Sequence, residues 1–373
     1  MSKIEQLIQQ LCPEGVEYKR LGEVCVPLIK HTLTKGELID NGQYIVINSG
    51  REAYGKYNEY NNEGNAFTVA ARGEYAGFIN YFSERFYAGG LCYPYRTNNE
   101  RECLTKYAYY WLKHKETSIM ETLVSRGSIP ALNKSDLDNV LIPLPPLAVQ
   151  QEIVRILDAF TELEAELEAE LEARKKQYAY YRDTLLSFEH DDPKVEWKRL
   201  GEVCEIGTGS SNGRDAVENG SYPFFVRSQI VKAKDDYEFD EEAIIIPGEG
   251  GIGEIFHYIK GKYALHQRVY RIHFLTSEIS VRFAYFYMQS AFKDFILRKA
   301  VSATVTSIRK PMIEAFEIPL PPLPVQQEIV RILDKFSALT TDLQSGLPAE
   351  IEARKKQYEY YRDQLLTFKR REA

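Results

Sequence analysis

Glycines, cysteines, histidines and carboxylates are the residues of this sequence whose spacing could signal chemistry, and the glycines come nearest to a motif. Gly248, Gly250 and Gly253 satisfy GxGxxG and follow the strand-like AIIIP, the setting in which a dinucleotide pyrophosphate would rest on a helix N-terminus. The next stretch, EIFHYIKGKYAL, alternates and contains Gly261, so it predicts a strand and offers no helix terminus to an anion. Five cysteines (Cys12, Cys25, Cys92, Cys103, Cys204) form no CxxC and have no histidine at ligand spacing, which argues against a zinc site and a disulfide framework. No GxxxxGK[ST], HExxH or GxSxG occurs, no carboxylate pair stands out, and the six histidines are scattered. Catalytic and metal-binding residues are therefore expected to be absent.

The elements that hold these residues are doubled. VEYKRLGEVC at 16–25 returns as VEWKRLGEVC at 195–204, and IPLPPLAVQQEIVRILDAF at 142–160 returns as IPLPPLPVQQEIVRILDKF at 318–336. A third pair joins EARKKQYAYYRDTLLSF at 172–188 to EARKKQYEYYRDQLLTF at 352–368. Each copy is a variable block followed by a nearly identical long segment. The 373 residues thus divide into 1–141, 142–190, 191–317 and 318–373, two variable blocks and two spacers.

Pro143, Pro145 and Pro146 cannot lie inside a helix, and the following VQQEIVRIL begins one. Apolar positions then recur every three or four residues at Phe160, Leu163, Leu167, Leu171, Tyr178, Tyr181 and Leu185. The second copy repeats the seam at Phe336, Leu339, Leu343, Tyr358, Tyr361 and Leu365, with a break or kink expected at Gly346 and Pro348. A narrow apolar seam needs a partner, and the duplicate is the nearest one. The two helices are expected to pair as an antiparallel coiled coil about a pseudo-two-fold axis, each about 60 Å long.

The variable blocks read as mixed and mostly β, each with an aromatic-rich helix near 104–115 and 281–297. FTVAARGEYAGFINYF and AIIIPGEGGIGEIFHYI align as strand, Gly-Glu turn, strand if Gly73-Glu74 matches Gly248-Glu249 and Gly77 matches Gly253; Tyr87-Ala88 then matches Tyr263-Ala264. The fold class is α+β. No run of 18 apolar residues could span a membrane, and MSKIEQLIQQL lacks the basic and apolar parts of a signal peptide, so a cytoplasmic location is expected. The net charge of −7 is uneven: residues 142–190 hold 5 Lys+Arg against 10 Asp+Glu, leaving both variable blocks nearly neutral.

The duplicated IPLPPLxVQQEIVRIL and ARKKQYxYYRDxLLxF segments, each behind a dissimilar block, resemble the specificity subunit of type I restriction-modification enzymes along the whole chain. The resemblance implies two target recognition domains, each reading one half of a bipartite, asymmetric site in double-stranded DNA. It implies a helical spacer that docks two modification subunits, with restriction/translocase subunits in the full complex. No cofactor is expected on this chain; S-adenosylmethionine, ATP and Mg belong to the partners. A non-catalytic adaptor for protein or glycan is the competing class, and a methyltransferase is opposed by the absence of [DN]PP[YF].

On that resemblance, base and phosphate contacts fall to Arg, Asn, Gln, Lys and Ser in the block loops. The candidates are Asn48, Ser49, Arg51, Tyr54, Lys56, Arg72 and Arg126 in the first block. In the second they are Arg227, Ser228, Gln229, Lys232, Gln267, Arg268 and Arg309. The run TELEAELEAELEA at 161–173, built of four-residue units, would act as a ruler. One unit moves the continuing helix by about 6 Å while turning it only about 40° from a whole turn.

Overall fold

A computed structural model describes residues 3–299, 307–341 and 346–371. The chain forms two compact units, residues 1–167 with 351–373, and residues 168–350. The first unit opens with α1 (Lys3–Leu11), β1 (Glu17–Arg20), the single turn α2 (Leu21–Val24) and β2 (Cys25–Pro27). Strands β3 (Tyr44–Ile47), β4 (Gly55–Tyr57), β5 (Ala66–Ala70), β6 (Ile79–Phe82), β7 (Tyr87–Ala88) and β8 (Cys92–Thr97) make sheets of order β2-β8-β5-β6 and β4-β3-β7. There follow α3 (Thr105–His114), α4 (Glu116–Thr122), the hairpin β9 (Val124–Ser125) and β10 (Ala131–Leu132), α5 (Lys134–Asp138), β11 (Leu141–Leu144) and α6 (Leu147–Leu185). The central strand β5 is buried along its whole length, so its AFTVA is apolar on both faces apart from Thr68.

The second unit repeats the plan with β12 (Glu196–Arg199), α7 (Leu200–Val203), β13 (Cys204–Thr208), β14 (Tyr222–Phe225), β15 (Lys232–Lys234), β16 (Phe239–Pro247), β17 (His257–Leu265) and β18 (Val269–Phe274). After these come α8 (Val281–Lys299), α9 (Lys310–Glu314), β19 (Glu317–Leu320), α10 (Leu323–Thr341) and α11 (Leu347–Leu365), the last lying in the first unit from Ile351. Here one six-stranded sheet, β13-β18-β16-β17-β14-β15, replaces two. The cause is β17, which pairs antiparallel with β16 and, at Ala264 and Leu265, parallel with β14. In the first unit residues 83–86 interrupt the same path, leaving β6 beside β5 and β7 beside β3.

The repeated segments close each block at its base. In β1 against β11, Tyr18 faces Pro143 and Arg20 faces Leu141; in β12 against β19, Trp197 faces Pro319 and Arg199 faces Glu317. Each pair is two-stranded, so a proline without an N–H sits at an edge where no ladder bond is lost. Gln150 and Gln326 lock the start of the following helix. Gln150 is fully buried, accepts the Leu104 N–H at 2.9 Å and donates to the Glu102 and Pro145 carbonyls at 2.8 Å. Gln326 repeats this with Ser280, Glu278 and Pro321 at 2.9–3.0 Å.

Each long helix meets its duplicate within a unit. Phe160 stacks on Tyr361 at 5.6 Å and Glu164 lies 3.3 Å from Lys355, so rising numbers on α6 meet falling numbers on α11. In the second unit Tyr181 stacks on Phe336 at 5.3 Å, and Leu185 and Leu186 share a core with Ile329 and Leu333. Both contacts are antiparallel. Leu167 and Leu365 are buried, whereas Phe160, Leu163, Leu171, Tyr178, Leu185, Phe336 and Tyr358 are half-buried and Tyr181, Leu339 and Tyr361 are more exposed. Leu343 lies outside the described residues. At the expected break, Gly346 accepts the Ala349 and Glu350 N–H groups and Pro348 occupies the first turn of α11, where it costs no helix bond.

The ladders correct two of the sequence alignments. Ala70 faces Cys92 as Pro247 faces Val269, and Ala71 N–H donates to Leu91 O as Gly248 N–H donates to Arg268 O. Ala71 therefore matches Gly248 and Arg72 matches Glu249; Gly73-Glu74 lies two residues further on. Likewise Tyr87 pairs with Val46 where Ala264 pairs with Phe224, so Tyr263 corresponds to Phe86. Residue identity misled the alignment because hydrogen-bond register, not side-chain type, sets a strand position. Gly77 and Gly253 do share a role: both have positive φ, and a Cβ would meet Met120 or Lys293 of the adjacent helix at 2.8 Å.

Candidate nucleic-acid interface

In the first unit three segments converge: the loop after β3, the β5–β6 turn and the β9–β10 hairpin. Arg51 lies over the rings of Tyr75 and Phe78, 4.9 and 5.5 Å from their centroids, which aims its guanidinium from one loop onto the next. Arg72 is exposed and pairs through its backbone with Ala131, while Gly73 N–H donates to Pro130 O; this places Arg72 beside the hairpin whose turn carries the exposed Arg126. Asn48 is committed to structure, its Oδ1 accepting the Leu91 N–H at 2.8 Å. Ser49, next along, is half-buried. Tyr54 packs on the small core of Leu33, Val46 and Tyr87. Lys56, exposed on β4, lines a different groove with Tyr44, Glu63 and Arg85.

The second unit gathers its arginines around a carboxylate. Arg227 and Arg268 each donate from one Nη to the same Oε2 of Glu249, at 2.8 and 2.9 Å. The Arg268 guanidinium, with Arg227 near it, holds the Glu249 carboxyl below the usual carboxylate range. Ile308 N–H donates to Gly248 O, so Arg309, exposed at the head of α9, follows directly on a residue bonded to this turn. Gln267 donates to Asn212 Oδ1 at 2.8 Å, and Arg268 N–H donates to the His266 ring at 3.0 Å. Burial, then the neighbouring arginines, keep His266 below the ordinary imidazole value. Ser228 is half-buried and committed to the turn, its Oγ accepting the Ile230 N–H and its carbonyl accepting from His257, each at 3.1 Å. Gln229 lines a cleft with Tyr178, Arg182 and Tyr285, and Lys232 lies exposed on β15 against Phe224.

The structure thus sets Arg51, Arg72 and Arg126 on adjoining segments of the first unit, and in the second it joins Arg227 and Arg268 on one carboxylate with Arg309 on a neighbouring segment; Lys56, Gln229 and Lys232 make none of these contacts. Tyr75, Phe78, Glu249 and His266 belong to these clusters without having been singled out. No linear spacing links 227, 249 and 268, so only their position on adjacent turns could have found them. The glycine turn runs from β16 into β17, strand to strand, and provides no helix N-terminus for a pyrophosphate. All five cysteines are free and buried, and burial pushes the Cys92 and Cys103 thiols up to about 12. Among the described residues no group of three or more His, Cys, Asp or Glu could hold a metal, and no helix is long and apolar enough to cross a membrane.

The family profile described as the type I restriction modification DNA specificity domain matches residues 13–173 and again 194–353. A type I restriction enzyme specificity subunit of Escherichia coli is 39% identical over 301 residues, 72% of each chain. A Mycoplasma pneumoniae protein named as a type I specificity subunit is 32% identical over 84% of this chain and 97% of its own. Among solved structures, the S subunit of a type I restriction-modification system from M. genitalium superposes with a TM-score of 0.68 at 19% identity, covering 94% of this chain and 95% of that one. With the domain present twice, the chain belongs to the type I restriction-modification specificity family, a family of non-catalytic DNA-recognition subunits.

Proposed function

We propose that each unit reads one half of a bipartite, asymmetric site in duplex DNA. Residues 1–141 and 191–317 act as the readers; residues 142–190 and 318–373 act as the spacer that sets the gap and docks two modification subunits. The observation that carries this reading is one backbone plan, closed twice by the same β pair, with different side chains on its matching turns: Arg72 in one unit, Glu249 in the other. Two readers of the same shape and different chemistry suit two different half-sites. An adaptor for protein or glycan has no comparable support.

Restriction/translocase subunits complete the assembly, and S-adenosylmethionine, ATP and Mg act on the partners. A cytoplasmic location follows from the DNA target. The acidic run at 161–173 sets the spacing, so deleting residues 167–170 shortens the gap by one or two base pairs, about 6 Å of helix against about 3.4 Å per step. Radiolabelled methyl transfer tests the division of labour. The purified chain should transfer no methyl group to DNA and should direct site-specific transfer once modification subunits are added. Turnover by the chain alone would overturn it.

A further inference from the structure

We infer that Glu249 is a positioning residue for the second half-site: it fixes Arg227 and Arg268 as one base-reading pair and cancels part of their pull on phosphate. This rests on the second unit being a DNA reader. Four chain segments meet here, and each is anchored by its backbone without help from the carboxylate. Gly248 N–H donates to Arg268 O at 2.9 Å, Ile308 N–H to Gly248 O at 2.9 Å, and His266 N–H to Phe225 O at 3.0 Å. The His266 ring also takes the Arg268 N–H. What Glu249 holds, therefore, is the two guanidinium heads and not the loops.

Folding does not demand this arrangement. The side chains of Arg227, Glu249 and Arg268 are 44%, 37% and 56% exposed, and ion pairs that open to water contribute little to stability. By hydrogen-bond register, Glu249 corresponds to Arg72 and Arg268 to Leu91, so the same backbone forms with neither partner of that ion pair. Each arginine spends one Nη on Oε2, and the remaining edge of the fork can address a base bidentately, as guanine O6 and N7 require. A fork already held in place loses less rotamer freedom on binding. One carboxylate between two guanidiniums also lowers the local charge by one, which trims non-specific attraction to the backbone and leaves the base contact intact.

The test uses the chain assembled with its modification subunits, with methylation-site sequencing and DNA affinity measured against salt for wild type, E249A, E249Q and R227A. E249A should raise methylation at second half-sites carrying one wrong base about tenfold relative to the correct site, leave the first half-site unchanged, and steepen the salt slope by about one. E249Q keeps an acceptor and should fall between, and it carries the test if E249A folds poorly. If R227A relaxes the second half-site while E249A and E249Q change neither motif nor slope, the positioning role is wrong and the reader stands. If no variant alters the second half-site, or the first half-site changes instead, the second unit is not its reader and both claims fall.

Discussion

The two units solve one folding problem with different internal wiring. In the second, the guanidinium of Arg271, only 9% exposed, donates to both oxygens of Glu241 at 3.0 and 3.1 Å, pairs with Glu205 and lies over the Phe239 ring. At the matching strand position the first unit has Pro94. The elements that repeat in sequence, the β1–β11 and β12–β19 pairs and the glutamine locks, are the ones in which the units agree. Divergence lies in the block sheets, the turns they present and the helices, where α3 and α4 stand against the single α8 and the unbroken α6 against α10 and α11. A scaffold that holds its base constant can vary its reading loops without endangering the fold.

The largest expected break in this comparison is E241A. It leaves the buried Arg271 guanidinium with Glu205 alone and the buried Tyr263 hydroxyl without its acceptor, and should cost the second unit about 3–5 kcal/mol in denaturant titrations, while replacing Arg271 and Glu241 together by apolar residues should recover only the part due to the charge. Q150A and Q326A should each cost about 2–4 kcal/mol, because each leaves one N–H and two carbonyls of its unit without partners. Similar losses would confirm that the locks are equivalent; a loss in only one unit would show that the bases differ. R51A should lower stability by less than about 1 kcal/mol, the worth of an exposed cation–π contact, yet relax the first half-site by about 1–3 kcal/mol in methylation competition.

The smallest effect is acid sensitivity. Burial holds His257 in the second unit and His114 in the first below the ordinary imidazole value of 6.5. The unfolded chain then binds protons that the folded rings refuse, so stability present at neutral pH is lost as pH falls below about 6.5 toward the folded pKa values. H257N, which installs the residue found at the matching position Asn80, should remove that ring's share of the second unit's slope and leave the share of His266.

Much of the fold was legible in the sequence. Near-identical repeats and prolines announced the helices, and the strand-like alternation after Gly253 excluded a dinucleotide site. The seam was less legible. Leu157 and Leu333 are fully buried and Leu186 and Leu366 nearly so, and all four lie one residue or more from the seam expected by spacing. The helices pack on the blocks as well as on each other, as Lys106 and Tyr110 bonding to Asp158, and Arg282 to Asp334, make plain. A two-helix pattern cannot anticipate a third neighbour. The Glu249 cluster stayed hidden because it forms between turns far apart in sequence, where register decides which side chains meet.

The central claim is that the units read independently, and a block exchange measures it most directly. Residues 17–141 would be replaced by the same block of a related specificity subunit, and the methylated sites of a host carrying the chimera with its modification subunits sequenced. One half of the site should change, with the other half and the gap kept as they were. A chimera that changes both halves, or that keeps both, would contradict two independent readers.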